Sequence, residues 1–264
     1  MRERADLLLV KKQLAPSREK AKTMIMAGEA FVGTERIAKA GQMLDEDVEI
    51  TIKGHSLKYV SRGGFKLEKI LEDYTIDLNG HVCMDIGSST GGFTDCMLQH
   101  GAKKVYAVDV GYNQLAYELR VDPRVVVMER TNVRHLDKEQ LADAIDFISI
   151  DVSFISLELV LPKAVSYLEK PGRISALIKP QFEAGKDKVG KGGIVSDPKV
   201  HREVLEKIVA LAKGLGMTIE SLTFSPIQGA TGNTEFLMLM TNGETDRKPM
   251  SVDEVIKASK EEFH

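Results

Sequence analysis

The chain has 264 residues, of which 43% are hydrophobic and 28% charged, with two cysteines and a formal net charge of −3. That composition is that of a globular protein and excludes wholesale disorder, a collagen-like fibre and a disulfide-stapled miniprotein. The apolar runs are too short to span a bilayer, and "LLLV" near the N-terminus is followed at once by Lys11 and Lys12. A cytoplasmic protein with neither signal peptide nor membrane helix is expected.

In chain order, residues 5–14 read as a short helix ended by Ala15-Pro16. Ser17 is placed to cap a second helix, and Gly28 to end it. Ala21, Met24 and Ile25 form its apolar stripe, while Arg18 and Lys22 share another face. "EAFVG" reads as a short strand, and "DVEITI" alternates as a half-buried strand does. Residues 10–39 carry seven basic against three acidic side chains. Those charges read either as a solvated face or as a nucleic-acid footprint.

Residues 54–79 lead to a different texture, in which strand-like runs alternate with helical segments. The runs are "HVCMDIG", "KKVYAVDV", "RVVVM", "AIDFISID", "RISALIK", "MTIESLTF" and "TEFLMLM". Alternation of this kind predicts an α/β fold, a doubly wound, Rossmann-like sheet of seven strands. The last two runs suit an antiparallel hairpin at the sheet edge, so the last strand is expected to be antiparallel. The predicted organisation is a small N-terminal α+β domain over residues 1–58, a sheet domain over 59–243, and a charged tail over 244–264 that could end in a short helix.

The first strand-to-helix turn carries the chemistry-bearing glycines, Gly87, Gly91 and Gly92, with Asp85 at the strand end. A dinucleotide site would want G-x-G-x-x-G, and a carboxylate is a poor neighbour for a pyrophosphate. Asp109, ending the second strand, is placed to hold the two hydroxyls of a ribose. Two strand-end carboxylates and this loop suit S-adenosylmethionine, an adenosine with a zwitterionic arm. Expected cofactor contacts are Asp85, Gly87, Ser88, Gly91, Gly92, Phe93, Thr94, Asp109, Val110, Asn132 and Asp151. A second cluster, "GKDKVGKG", has Gly192 where a P-loop needs a hydroxyl for magnesium, and so is not an ATP site. It reads as a basic lid, with Lys186, Lys188 and Lys191, or as a solvent loop.

No metal site is expected: histidines 55, 81, 100, 135, 201 and 264 show no ligand spacing, and Cys83 and Cys96 read as core. Lys66, Asp151, Lys179 and Glu235 are the candidate catalytic groups. Asp151 and Lys179 end neighbouring strands, and a lysine there needs a partner.

Two resemblances bear on these residues. "APSREKAKTMIMAGEAFV" with "RIAKAGQMLDEDVEI" is similar to the alpha-L RNA-binding module of ribosomal-protein type. It implies that Arg18, Lys20 and Lys22 face RNA phosphates, with Lys11, Lys12, Arg36 and Arg62 as further RNA contacts. "VSRGGFKL", "DIGSSTGGFTD", "DVSFIS", "LIKPQFE", "KGGIV" and "NTEFL" resemble the TlyA family, which joins that module to an FtsJ-like methyltransferase domain with a Lys-Asp-Lys-Glu tetrad. The resemblance covers residues 5–241, although the tryptophan of some members' linkers is missing. It implies S-adenosylmethionine-dependent cytidine 2′-O-methylation of ribosomal RNA, with ribosomal subunits as partners and no obligate protein partner. Lys179 would take the proton as a neutral amine and Asp151 would orient it. Lys66 would position or polarise the hydroxyl, and Glu235 would hold the lysines. Two other readings stand beside this one: a non-catalytic RNA-binding or ribosome-assembly protein, and the haemolysin of the family's older name.

Overall fold

Ser17 does cap a helix. In the computed structural model, which describes residues 2–52 and 58–263, its Oγ accepts from the Lys20 backbone N–H at 3.2 Å. The chain divides into two units, Met1–Lys58 and Tyr59–His264. The first holds β1 (Arg2–Arg4), α1 (Ala5–Lys11), α2 (Arg18–Ala27), β2 (Ala30–Val32), β3 (Glu35–Arg36), β4 (Met43–Asp45) and β5 (Ile50–Ile52). Gly28 ends α2 at φ 80, in the left-handed region that glycine enters without steric cost. Ala21 and Ile25 of α2 pack with Leu8, Leu9, Ile37 and Ile50 in one small core. α1 stops at Lys11, three residues short of the expected end, because Gln13 turns to φ 58 and Leu14 donates back to the Leu9 carbonyl. β1 pairs with β4, and β2 lies between β3 and β5. β2 and β5 lie in the runs "EAFVG" and "DVEITI", while β1, β3 and β4 are too short to leave a signal of their own.

The second unit holds α3 (Gly64–Asp73), β6 (Val82–Ile86), α4 (Gly92–Gln99), β7 (Lys104–Val108), α5 (Tyr117–Arg120) and β8 (Val125–Met128). It continues with β9 (Ile145–Ile150), α6 (Leu157–Tyr167), β10 (Leu168–Ile178), α7 (Pro180–Glu183), α8 (Pro198–Gly214), β11 (Thr218–Phe224), β12 (Phe236–Thr241) and α9 (Val252–Phe263). The seven-stranded sheet has the order β11-β12-β10-β9-β6-β7-β8, and β12 is antiparallel to both its neighbours. The last two strands form the expected antiparallel hairpin at the sheet edge: β11 is outermost, and the antiparallel last strand is β12, just inside it. β12 inserts between β10 and β11 because all six of its side chains are buried.

Alternation along each strand feeds two cores. Met84, Ile86, Ile148, Ile150, Phe236, Met238 and Met240 face one side, covered by residues of α6, α8 and α9. Cys83, Phe147, Leu177, Leu237 and Leu239 face the other, under residues of α3, α4 and α5. Burying each such side chain stabilises the fold by about 1.5–3 kcal/mol. α9 corrects the reading of a charged tail. Val255 and Ile256 are buried, and the helix packs on α8 and β11 within the second unit. His55 and His264 lie outside the described residues.

Candidate active site

Strand direction brings the four distant side chains together. β6, β7, β9 and β10 run parallel, so Gly87, Asp109, Asp151 and Lys179 emerge at one edge of the sheet. β12 runs the opposite way with Phe236 paired to Ile178, so Glu235 reaches the same edge from the start of its strand. Lys66 arrives from the first turn of α3, which packs against β12.

The result is two ion pairs. Lys66 Nζ donates to Glu235 Oε2 at 2.5 Å, with both residues buried. Lys179 Nζ lies 2.5 Å from Asp151 Oδ1 and donates to Ser153 Oγ at 2.9 Å. The contact to Asp151 is close but not aligned: that oxygen is buried and receives no hydrogen bond of acceptable geometry. Gln181 reaches the second oxygen of Glu235 at 3.5 Å through its Nε2. Lys66, Asp151 and Lys179 line one cleft with Ser61, Gly63 and Ser153, while Glu235 supports Lys66.

A second cleft of about 300 Å³ adjoins the first and shares Gly87, Ser89, Asp151 and Ser153 with it. Its walls are largely apolar, from Val108, Val133, Ile155 and Val160, and Asp109, Val110 and Asn132 lie along it. The Asp109 carboxylate accepts from the Ser89 N–H at 2.8 Å and the Gly111 N–H at 2.6 Å. It is thereby fixed, and each oxygen keeps accepting capacity for a ligand hydroxyl. Gly87 sits at φ 87, where a Cβ would meet the Asp151 carbonyl oxygen at 2.3 Å. The glycine loop therefore presses directly against the strand end that carries Asp151.

Not every expected cofactor residue reaches a cleft. Ser88, Gly92 and Phe93 line the one with the lysines. Asp85 is a correction: it is fully buried, accepting from Thr94 Oγ1 at 2.7 Å and Ser149 Oγ at 3.2 Å. Burial pushes its carboxyl up to about 7, against the opposing hydrogen bond from Thr94. Asp85 and the equally buried Thr94 form a strut beneath the loop and line neither cleft. Gly91 likewise faces packing, since its φ of 98 and the nearby Leu115 and Leu119 leave no room for a side chain.

The basic residues of the first unit are also partly engaged. Arg4 and Arg18 both bond the buried Asp6, and the Arg4 guanidinium in particular holds that carboxyl well below the usual carboxylate range. Lys11 pairs with Glu3 and Glu46, Lys22 pairs with Glu19, and Arg36 donates to the Met26 carbonyl. Lys20 is exposed at the start of α2, Lys12 is half-buried, and Arg62 is exposed beside the cleft-lining Ser61 and Gly63. Among the described residues no cluster of His, Cys, Asp and Glu could hold a metal ion.

Sequence reasoning missed Ser153 and Phe154, although both stand directly after Asp151 in "DVSFIS". Phe154 is 91% exposed at φ 62, and its ring lies 5.0 Å from that of Phe182. Strained, exposed aromatics of this kind concentrate at functional sites.

Residues 59–242 match the FtsJ-like methyltransferase family. The chain is 50% identical over 265 residues to YqxC of Bacillus subtilis (strain 168), covering 100% of this chain and 94% of that protein. It is 41% identical to the 16S/23S rRNA (cytidine-2′-O)-methyltransferase TlyA of Mycobacterium tuberculosis, covering 93% of this chain and 92% of that one. A solved structure from Streptococcus thermophilus, which carries a hemolysin label, is similar with a TM-score of 0.77 at 45% identity. It covers 99% of this chain and 97% of that one.

Proposed function

This chain belongs to the FtsJ-like methyltransferase family, and on that premise we propose that it methylates the ribose 2′-hydroxyl of a cytidine in ribosomal RNA, using S-adenosylmethionine. The observation that carries the reading is the meeting of Lys66, Asp151, Lys179 and Glu235 at one sheet edge, beside a cleft with a ribose-holding carboxylate.

The clefts fit the cofactor by shape and chemistry. Asp109 offers acceptors to ribose hydroxyls, the apolar walls suit an adenine, and Gly87 with Ser89 lets the backbone approach closely. Val110 and Asn132 flank that side, and Asp151 lies where the two clefts meet. S-adenosylmethionine, when bound, supplies an electrophilic methyl group on a sulfonium.

The protein's own contribution is to aim and deprotonate the acceptor. Holding the hydroxyl oxygen about 3–3.5 Å from the carbon it attacks removes roughly 7–11 kcal/mol of barrier. Lys179 takes the hydroxyl proton as a neutral amine, and Asp151 steadies the ammonium that results. Lys66, fixed by Glu235, donates to the substrate oxygen. Phe154 offers an exposed ring beside Asp151 and Ser153 on which a nucleobase can stack. Lys12, Lys20 and Arg62 are the basic groups best disposed to meet RNA phosphates, and Arg18 keeps its partner Asp6.

The reading of a non-catalytic RNA-binding protein lacks a use for two lysines, one from α3 and one ending β10, each paired with a carboxylate at the same sheet edge. As to the hemolysin label, no described helix is long and apolar enough to cross a membrane. The deciding experiment is mass-spectrometric mapping of ribose methylation in rRNA from cells with and without the gene, together with Lys179→Ala. A cytidine that loses its methyl group in both the deletion and the variant is the expected result. An unchanged map rejects the reading.

A further inference from the structure

We propose that Ser153 is a positioning residue that aims the lone pair of the Lys179 amine at the acceptor hydroxyl. The proposal rests on the reading of Lys179 as the proton acceptor. A neutral lysine nitrogen has two N–H bonds and one lone pair, and it turns freely about its last carbon–nitrogen bond unless an aligned hydrogen bond stops it. Proton transfer needs that lone pair, and not an N–H, to face the hydroxyl.

Asp151 does not stop the rotation. Its Oδ1 lies 2.5 Å from the nitrogen, but out of line for a hydrogen bond. The aligned acceptor is Ser153 Oγ, at 2.9 Å. Committing one N–H to that hydroxyl fixes the rotor, and the attraction of Asp151 biases the second N–H toward the carboxylate. The remaining tetrahedral direction belongs to the lone pair. Ser153 lines both clefts, so it stands where the acceptor side and the cofactor side meet.

The turn that carries Ser153 is itself tied to the turn that follows Lys179. Glu183, on α7, is buried and accepts from Ser156 Oγ at 2.6 Å and from the Leu157 N–H at 2.8 Å. α7 begins one residue after Lys179, and Ser156 lies three residues after Ser153. Both ends of the Lys179–Ser153 hydrogen bond are therefore anchored to a common strut.

The test is steady-state methylation of ribosomal subunits from cells lacking the gene, followed across pH for wild type, Ser153→Ala, Ser153→Thr and Lys179→Ala. Binding of S-adenosylhomocysteine to each is measured by calorimetry. Ser153→Ala is expected to lower kcat about tenfold on the high-pH plateau, where a change in ionisation alone would no longer matter. KM for the RNA and S-adenosylhomocysteine affinity should stay within about a factor of two, and Ser153→Thr should restore most of the rate. A plateau kcat equal to wild type overturns the proposal, as does a loss of S-adenosylhomocysteine affinity that matches the loss of rate. If Lys179→Ala is inactive while Ser153→Ala is normal, only the role of Ser153 fails. If Lys179→Ala keeps wild-type turnover, the role of Lys179 fails and the proposal falls with it.

Discussion

Lys66 and Glu235 are separated by 169 positions in the chain, yet they close a 2.5 Å ion pair with side chains only 10% and 4% exposed. A buried pair of this kind holds together chiefly because breaking it strands a charge away from water. Lys66→Met alone should destabilise the second unit by about 3–5 kcal/mol, and Glu235→Leu alone by a similar amount. The double variant should recover much of that loss while remaining inactive. Urea denaturation of the three variants checks the first point and a methylation assay the second.

Asp85 makes stability depend on pH in an unusual direction for a carboxylate. Its folded carboxyl titrates near 7, while an unfolded aspartate titrates near about 3.9. Between those values the folded state holds a proton that the unfolded state has lost, so the stabilisation is complete below the lower value and is lost as pH rises through the upper. Thermal melts from pH 4 to 8 should therefore show a contribution that declines with rising pH. Asp85→Asn should flatten that decline.

Asp6 acts in the opposite sense. Its carboxyl is held low by Arg4 and Arg18, so its contribution is present above about pH 4, the unfolded range, and disappears as pH falls below it. Asp6→Asn should cost the first unit about 2 kcal/mol at neutral pH, the two arginines being partly exposed. The same substitution should reduce the acid sensitivity of that unit, read by the pH dependence of its amide exchange.

Phe154 can be separated from folding because its ring is almost wholly in solvent. Phe154→Ala should leave the melting temperature nearly unchanged, since little area is lost from the core. It should raise KM for the RNA by about tenfold, in keeping with roughly 1–3 kcal/mol for one base stacked on an aromatic ring. An unchanged KM would remove the stacking role.

Gly87 admits no side chain. Gly87→Ala forces a Cβ against the Asp151 carbonyl in a backbone region that alanine disfavours. Calorimetry should show S-adenosylhomocysteine binding abolished, with turnover lost in parallel.

Much of this was legible from residue order, for reasons that differ by element. The seven strands announced themselves as apolar runs alternating with helical segments, and Ser17 and Gly28 because capping chemistry is local. Asp151 and Lys179 were legible because strand-end position places a side chain at the ligand-binding edge, whereas Lys66, in the first turn of α3, was picked out by the family resemblance. What escaped was non-local. Asp85 stood in the right place along the strand, yet its side chain turns to Thr94 and Ser149, which only packing decides. Arg18 gave no sign in the sequence of the bond it makes to Asp6, twelve positions away. The C-terminal segment looked like a charged tail because six of the twelve residues of α9 are charged, although Val252, Val255, Ile256 and Phe263 stand at helical spacing.

β12 also guards against misthreading. Its Phe and Met side chains fill one core and its Leu side chains the other. A slip of one residue along β10 would force each set into a space shaped for the other. It would also leave Thr234 or Phe236 where the carboxylate of Glu235 belongs. The shape difference between two hydrophobic interiors thus acts as a proofreading device for the position of a single acid.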